Sequence, residues 1–312
     1  MNDGLKQIAE NIMFNEEIRE LIQNPNQDGL YRELVDFQIK QCETLDLSIE
    51  KEGFQIGEPW NGDIENAPIL FLSSNPAFDF YEVSPRYYSD KTGNQWVIKD
   101  GEVMSLDDLI KFQCTRIQES KIEDNDNNKE NLNKEVFNPN TGKKDYLHVL
   151  YWGHTRERVE CLLPDELKIF WRNKKTPAEY AREIMKYVVC MEIVPFRSND
   201  ATGVTTAVLD DCWGKFTKTI LELSGASIFI LVGSKAYKTF SRNLKFHASI
   251  EHNLSTGKTL ELQFGERNRT IVHVPHTADL YHCLPPETIK QLRDTLARRI
   301  IFDNKIASGD FR

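Results

Sequence analysis

The chain lacks the usual sequence marks of secreted, metal-binding and membrane proteins. Its six cysteines are scattered with no Cys-x-x-Cys pair, which disfavours a zinc knuckle or an iron–sulfur cluster and favours reduced thiols. No apolar run approaches the roughly 20 residues that span a bilayer, and residues 1–4 lack the basic-then-apolar pattern of a secretory signal. We therefore expect a cytoplasmic protein that has no metal or other cofactor and no contact with a membrane.

An excess of positive charge is also missing. The formal net charge of the 312 residues is -9, which is unfavourable for a protein that coats nucleic acid, although it leaves room for a local basic patch. A chain of this length can bury a large core in one or two domains.

An apolar run at 68–72 ends abruptly on Ser-Ser-Asn-Pro-Ala at 73–77. The run predicts a strand that is buried on both faces, as in a parallel sheet. Open α/β sheets bind ligands beyond the carboxyl ends of their strands, so Asn75 lies where chemistry would take place. The alternative is an ordinary strand-to-loop turn, because Asn-Pro is a common turn dipeptide.

Strands and helices alternate along the rest of the chain. Apolar runs predict parallel strands at 68–73, 187–194, 226–232 and 270–275, with the first strand central and helices on both faces. Helical patterns cover 5–24, 29–45, 105–120, 177–185, 209–223, 234–243 and 287–301, and a hairpin is predicted around 265–268. The polar segment 121–144 has the composition of disordered chain. We expect a helical N-terminal extension at 1–54 and an α/β domain at 55–312 with a long insertion at about 82–175.

The four predicted strands end on short polar motifs, at 73–77, 192–196, 231–236 and 273–278. Taken in this order they resemble the uracil-DNA glycosylase superfamily, over roughly residues 55–300. Asn75-Pro76 matches the first family motif, Gly233 with Ala236 matches the third, and His276 matches the histidine of the fourth. The resemblance implies a three-layer α/β sandwich with a central four-stranded parallel sheet, and a base pocket across the strand ends.

The resemblance also implies roles for individual residues. Asn75 would position the attacking water, and His276 would stabilise the departing base by donating a hydrogen bond to its oxygen. Residues that would contact the base are Ser74, Phe78, Phe80 and Glu192, and those that would contact phosphates are Ser234, Lys235, Lys238 and Thr277. The alternatives are a capping role for His276, simple packing for the loop aromatics and a solvated helix face for the lysines.

The chain departs from the family pattern at two places. Ser73 and Ala77 stand where the family usually has glycines, and Glu192 stands where it places a base-reading asparagine. An amide both donates and accepts hydrogen bonds, whereas a carboxylate only accepts. Glu192 therefore suits the exocyclic amine of cytosine or adenine, or the amide edge of guanine, and disfavours the carbonyl of uracil. The structural alternative is a salt bridge from Glu192 to Arg197.

These observations favour a metal-independent DNA glycosylase that acts on an unusual or modified base, with DNA carrying a flipped base as its partner. One alternative is a catalytically inactive module on the same fold that binds nucleic acid or a nucleotide-like ligand. Another is a hydrolase of a small nucleoside-like metabolite, which the net charge of -9 suits better than duplex DNA.

Overall fold

A computed structural model of the chain shows an α/β protein. It describes residues 1–44, 53–76, 85–87, 96–98, 103–111, 121–123, 131–138, 143–148, 159–174, 177–199, 201–275 and 284–308.

Along the sequence, the helices occur mainly near the two ends of the chain and in the connections between strands of the central sheet. They are α1 (Asp3–Met13), α2 (Glu16–Gln23), α3 (Arg32–Thr44), α4 (Asp165–Lys174), α5 (Pro177–Met185), α6 (Thr206–Cys212), α7 (Lys218–Leu223), α8 (Gly233–Asn243), α9 (Ala248–Ser255) and α10 (Pro286–Ser308). A π-helical turn at Trp213–Thr217 joins α6 to α7, and residues 106–111 and 159–162 are also helical. None of the helices among the described residues combines the length and apolar character needed to cross a membrane.

The strands form three separate sheets. They are β1 (Phe54–Gln55), β2 (Asn61–Gly62), β3 (Ile69–Ser73), β4 (Pro85–Tyr87), β5 (Trp96–Ile98), β6 (Val103–Met104), β7 (Lys121–Glu123), β8 (Asn131–Asn138), β9 (Lys143–His148), β10 (Val188–Glu192), β11 (Ile228–Val232), β12 (Leu260–Phe264) and β13 (Arg267–Val274).

The central sheet has six strands in the order β12-β13-β11-β3-β10-β2. The expected α/β class is confirmed, and β3 lies between its parallel neighbours β10 and β11, with β13 parallel to β11. The sheet has six strands where four were expected, because β2 and β12 add antiparallel partners at its two edges and make it mixed. The predicted hairpin is confirmed as β12 and β13, which meet at Gly265 and Glu266.

Two hydrophobic cores cover the two faces of this sheet. Alternate residues of β3 show the division, since Leu70 and Leu72 belong to one core while Ile69 and Phe71 belong to the other. The first core is shared with α1–α3 and α6–α9, and the second with α4, α5 and α10. Strands that are buried on both faces read as continuous apolar runs, which is why the sequence pattern located β3, β10 and β11 well.

Within the predicted insertion, the structure departs from the expected disorder. Residues 121–144 contribute to β7, β8 and β9, which form a three-stranded antiparallel sheet. The composition argument counts only buried apolar surface, whereas strand pairing satisfies backbone hydrogen bonds whatever the side chains are. A four-stranded sheet in the order β1-β4-β5-β6 links the insertion to the segment that precedes β2.

Candidate active site at the carboxyl ends of β3 and β10

The carboxyl ends of β3 and β10 meet in register. Ser73 at the end of β3 is the direct partner of Glu192 at the end of β10. The pairing continues past both strands, since the amide of Ile193 donates to the carbonyl of Ser73 at 3.0 Å and that of Val194 to the carbonyl of Ser74 at 2.9 Å. The first and second predicted motifs therefore share one edge of the sheet, where Ser73, Ser74 and Asn75 are half-buried.

The amide group of Asn75 is held by the loop that follows β10. Its Nδ2 donates to the carbonyl and to the Oγ of Ser198, and to the carbonyl of Pro76, all at 3.1 Å. Ser74 Oγ donates to Asn75 Oδ1 at 3.3 Å. Both amide protons thus have acceptors within the protein, and Oδ1 is the atom of this amide with capacity to accept a further hydrogen bond.

Ser198 is itself fixed in place and is 1% exposed. Its backbone amide donates to the carbonyl of Pro76 at 3.2 Å, so the loop after β10 and the loop after β3 are joined at Asn75. The sequence analysis missed Ser198, since no pattern in the sequence connects it to a residue 123 positions away.

Glu192 carries a carboxyl group with an unusual protonation equilibrium. Its side chain accepts a hydrogen bond from Ser73 Oγ. Burial raises the pKa of Glu192 to about 7; the negative charge of Glu58 adds to this rise, and the Ser73 hydrogen bonds and the charge of Arg197 oppose it. Glu192 is thus a carboxyl group that holds its proton far more tightly than an exposed glutamate does.

Arg197 forms its described ion pair with Glu58, which lies between β1 and β2. The Arg197 and Glu58 side chains are only 3% and 7% exposed. The structural alternative for Glu192, a salt bridge to Arg197, is therefore not the arrangement found, because Glu58 takes that place and Glu192 is bonded to Ser73. No sequence signal identified Glu58, since it lies in an irregular segment with no periodic pattern.

The third predicted motif lies where β11 turns directly into α8. Gly233 adopts φ +80, a left-handed conformation that glycine adopts without steric cost. A Cβ at this position would lie 3.7 Å from the carbonyl oxygen of Pro275, so the ends of β11 and β13 approach each other closely.

The predicted phosphate-contact residues lie on the first two turns of α8, and Ser234, Lys235 and Lys238 are all exposed. Lys235 Nζ donates to the carbonyl of Val204 at 3.2 Å. The other predicted site residues, Phe78, Phe80, His276 and Thr277, lie outside the described residues. The structure thus brings Ser74, Asn75 and Glu192 together, and their distance from His276 stays a prediction.

A histidine that the sequence analysis did not single out lies near the end of β13. His273 stacks on Tyr237 of α8 with ring centroids 4.5 Å apart. Burial lowers the pKa of His273, although a hydrogen bond with the Gly233 backbone partly opposes the effect. A histidine that packs under α8, and whose positively charged form is disfavoured by burial, fits a supporting role for the β11–α8 turn.

Comparisons with known proteins do not identify a family for this chain. No protein-family model matches the chain, and no curated protein matches it. Within the described ranges, no group of three or more histidine, cysteine, aspartate or glutamate residues is arranged to hold a metal ion. Cys42, Cys161, Cys190 and Cys212 are buried.

Proposed function

We propose that the chain is a DNA glycosylase of the uracil-DNA glycosylase type, which hydrolyses the N-glycosidic bond of an unusual or modified base. The observation that carries the proposal is that an oriented Asn75 amide and the Glu192 carboxyl group follow two adjacent parallel strands, in which Ser73 and Glu192 are direct partners. The two side chains lie at the carboxyl ends of β3 and β10, where open α/β sheets bind ligands.

The geometry of Asn75 suits a residue that positions water. Because Nδ2 is directed to Ser198 and Pro76, Oδ1 is left to accept a hydrogen bond from an attacking water molecule. An amide is a weak base, so the reaction depends on stabilising the base as it departs with negative charge. In this proposal His276 supplies that hydrogen bond, as the family resemblance implies.

The experiment is an assay for free base released from DNA that contains uracil, or cytosine or adenine derivatives, with detection by mass spectrometry. We expect Asn75→Ala to abolish release while preserving binding, because its role concerns water. His276→Ala should slow release by about 2 to 4 kcal/mol of transition-state stabilisation, the scale of one lost oxyanion donor.

A matched control is Asn66→Ala, at the opposite end of β3. Asn66 is exposed and its Nδ2 donates to Asp63 at 2.8 Å within its own turn. We expect this variant to keep full activity. Wild-type protein that binds such DNA yet releases none of these bases would instead support the inactive binding module.

A hydrolase of a small nucleoside-like metabolite is the second candidate, and the charge distribution favours it. The net charge is -9, and two of the cations on α8 have protein partners: Lys235 contacts the Val204 carbonyl and Arg242 pairs with Asp210 at 2.5 Å. Release of base from free nucleosides, but from no DNA, would select this candidate over the first.

A further inference from the structure

A small cluster of charged side chains lies behind the carboxyl ends of β3 and β10. It contains two carboxyl groups, Glu58 and Glu192, and one guanidinium, Arg197. Glu58 and Arg197 are in contact and almost fully buried. An ionised Glu192 would therefore add a second carboxylate charge beside this buried pair.

A proton on Glu192 removes that charge. The groups that act on Glu192 come from three segments: Ser73 on β3, Glu58 after β1 and Arg197 after β10. Ser73 donates hydrogen bonds that favour the ionised form, and Arg197 favours it too, whereas burial and Glu58 oppose it. Burial is the largest of these effects and brings the pKa of Glu192 to about 7.

A neutral carboxyl group has the hydrogen-bonding capacity of an amide. It offers an O–H donor and a carbonyl acceptor, whereas the carboxylate only accepts. Glu192 in this form can therefore both donate and accept a hydrogen bond, and the expected repulsion of a base carbonyl disappears.

We infer that Glu192 determines base specificity as a neutral carboxylic acid, which recognises the lactam edge of a base, where an N–H and a C=O are adjacent. Uracil, thymine and guanine have such an edge. The Glu192 hydroxyl donates to the base carbonyl and the base N–H donates to the Glu192 carbonyl, and the proton stays on Glu192. Loss of the proton shifts the preference to the exocyclic amine of cytosine or adenine. The inference rests on the proposed function.

The first test measures the proton on Glu192 without any ligand. Wild-type protein with 13C-labelled glutamate carboxyl groups is titrated by NMR, and the Glu192→Gln variant identifies the resonance by its absence. We expect a midpoint near pH 7, well above the ordinary pKa of 4.5. Ser73→Ala should move the midpoint upward, since it removes a donor to the ionised form. A wild-type midpoint at the ordinary value overturns the inference.

The second test measures recognition of the base. The probes are single-stranded oligonucleotides with one deoxyuridine or one deoxycytidine in an otherwise abasic-spacer background, bound to the Asn75→Ala protein to prevent turnover. Between pH 6 and pH 8 at constant ionic strength, we expect the affinity for the uracil probe to fall by about tenfold as the protonated fraction of Glu192 falls, while the affinity for the cytosine probe does not fall. Adding Glu192→Gln should keep the preference for uracil at both pH values.

The control is Glu266→Gln, on the exposed turn between β12 and β13, which should retain the pH dependence. A preference that does not change with pH, while Glu192 titrates near neutrality, overturns the assignment of Glu192 as the base reader. Absence of binding to both probes at every pH overturns the proposed function, and the NMR titration then still decides whether Glu192 holds its proton.

Discussion

At the scale of single residues, the site is built from contacts between segments that are distant in sequence. Ser73 and Glu192 are 119 positions apart and Asn75 and Ser198 are 123 positions apart. The sequence predicted Asn75 and Glu192 because each follows an apolar run. It could not predict Ser73 or Ser198 as their partners, since those contacts depend on which strands are neighbours and in what register.

The elevated pKa of Glu192 makes a prediction for stability. Between pH 4.5 and about 7 the unfolded chain releases this proton while the folded protein keeps it, so the free energy of unfolding falls as pH rises through this interval. The slope from one such group is at most about 1.4 kcal/mol per pH unit. Glu192→Gln has no proton to lose, so its stability relative to wild type should rise from pH 4.5 to 7 and level off above.

Urea denaturation of both proteins at a series of pH values measures this difference. The comparison cancels the other titrating groups, because they are common to both proteins. A stability difference between the two proteins that stays constant from pH 4.5 to 8 would contradict an elevated pKa for Glu192.

At the scale of elements, the sequence located the buried strands and the terminal helices better than the boundaries between helices. The pattern at 5–24 predicted one helix, whereas α1 ends at Met13 and Asn15 begins α2 by accepting a hydrogen bond from the Ile18 amide at 3.0 Å. The apolar period runs through this break, so only the cap distinguishes two helices from one. The helix predicted at 209–223 is likewise divided by the π-helical turn.

The edge strand β2 shows a second limit of the sequence pattern. It has only two residues, Asn61 and Gly62, and pairs with β10. Strands of this length have no alternation to detect. A short edge strand forms where the neighbouring strand has backbone N–H and C=O groups without a partner. Those groups are known only once the sheet has folded.

Gly225, just before β11, and Gly214, in the π-helical turn, make a matched pair for a stability test. A Cβ on Gly225 would lie 1.8 Å from the carbonyl oxygen of Glu65, whereas one on Gly214 would have no atom within 4 Å. Gly225→Ala should destabilise the protein by about 3 kcal/mol, since backbone must move. Gly214→Ala lies in the π-helical turn and should stabilise it by about 0.5 to 1 kcal/mol.

Chemical denaturation of the two variants gives both values. The local consequence of Gly225→Ala is a displaced entry of the chain into β11, because the Gly225 amide donates to the carbonyl of Ile64 at 2.8 Å. Equal stability of the two variants would show that the segment around Glu65 moves aside at little cost.

The sheet of β7, β8 and β9 gives a prediction for the insertion. Among the described strands these three pair only with one another. Because β7 also lies against α5, we expect the melting temperature and base release to stay nearly unchanged when only residues 131–148, the segment of β8 and β9, are replaced by a short Gly-Ser linker. Calorimetry measures the first quantity, and Leu70→Ala in the central sheet serves as a control that should cost about 2 to 5 kcal/mol.

A fall in melting temperature of more than about 4 °C, roughly 1 kcal/mol or more for a chain of this size, would contradict this prediction. It would mean that the insertion packs on the central fold and contributes to its stability.

At the scale of the whole molecule, charge decides between the two substrate classes. With a net charge of -9, the protein repels a nucleic acid at long range, and attraction depends on local cations such as Lys235 and Lys238 on α8. For single-stranded DNA the logarithm of the binding constant falls with the logarithm of salt concentration, with a slope of about -0.7 per phosphate contact. Two lysine contacts predict a slope of about -1.4.

Lys238→Ala should reduce the magnitude of this slope by about 0.7, because it removes one phosphate contact. Lys258→Ala, an exposed lysine before β12, should leave the slope unchanged. The measurement is fluorescence anisotropy of a labelled oligonucleotide across a salt series, with a free nucleoside measured in parallel by calorimetry. A neutral nucleoside releases no counterions, so its affinity should hardly vary with salt. If the affinity for the nucleoside is independent of salt and the affinity for the oligonucleotide is no higher, a phosphate-binding surface on α8 contributes nothing to recognition. That result would identify a small metabolite as the substrate.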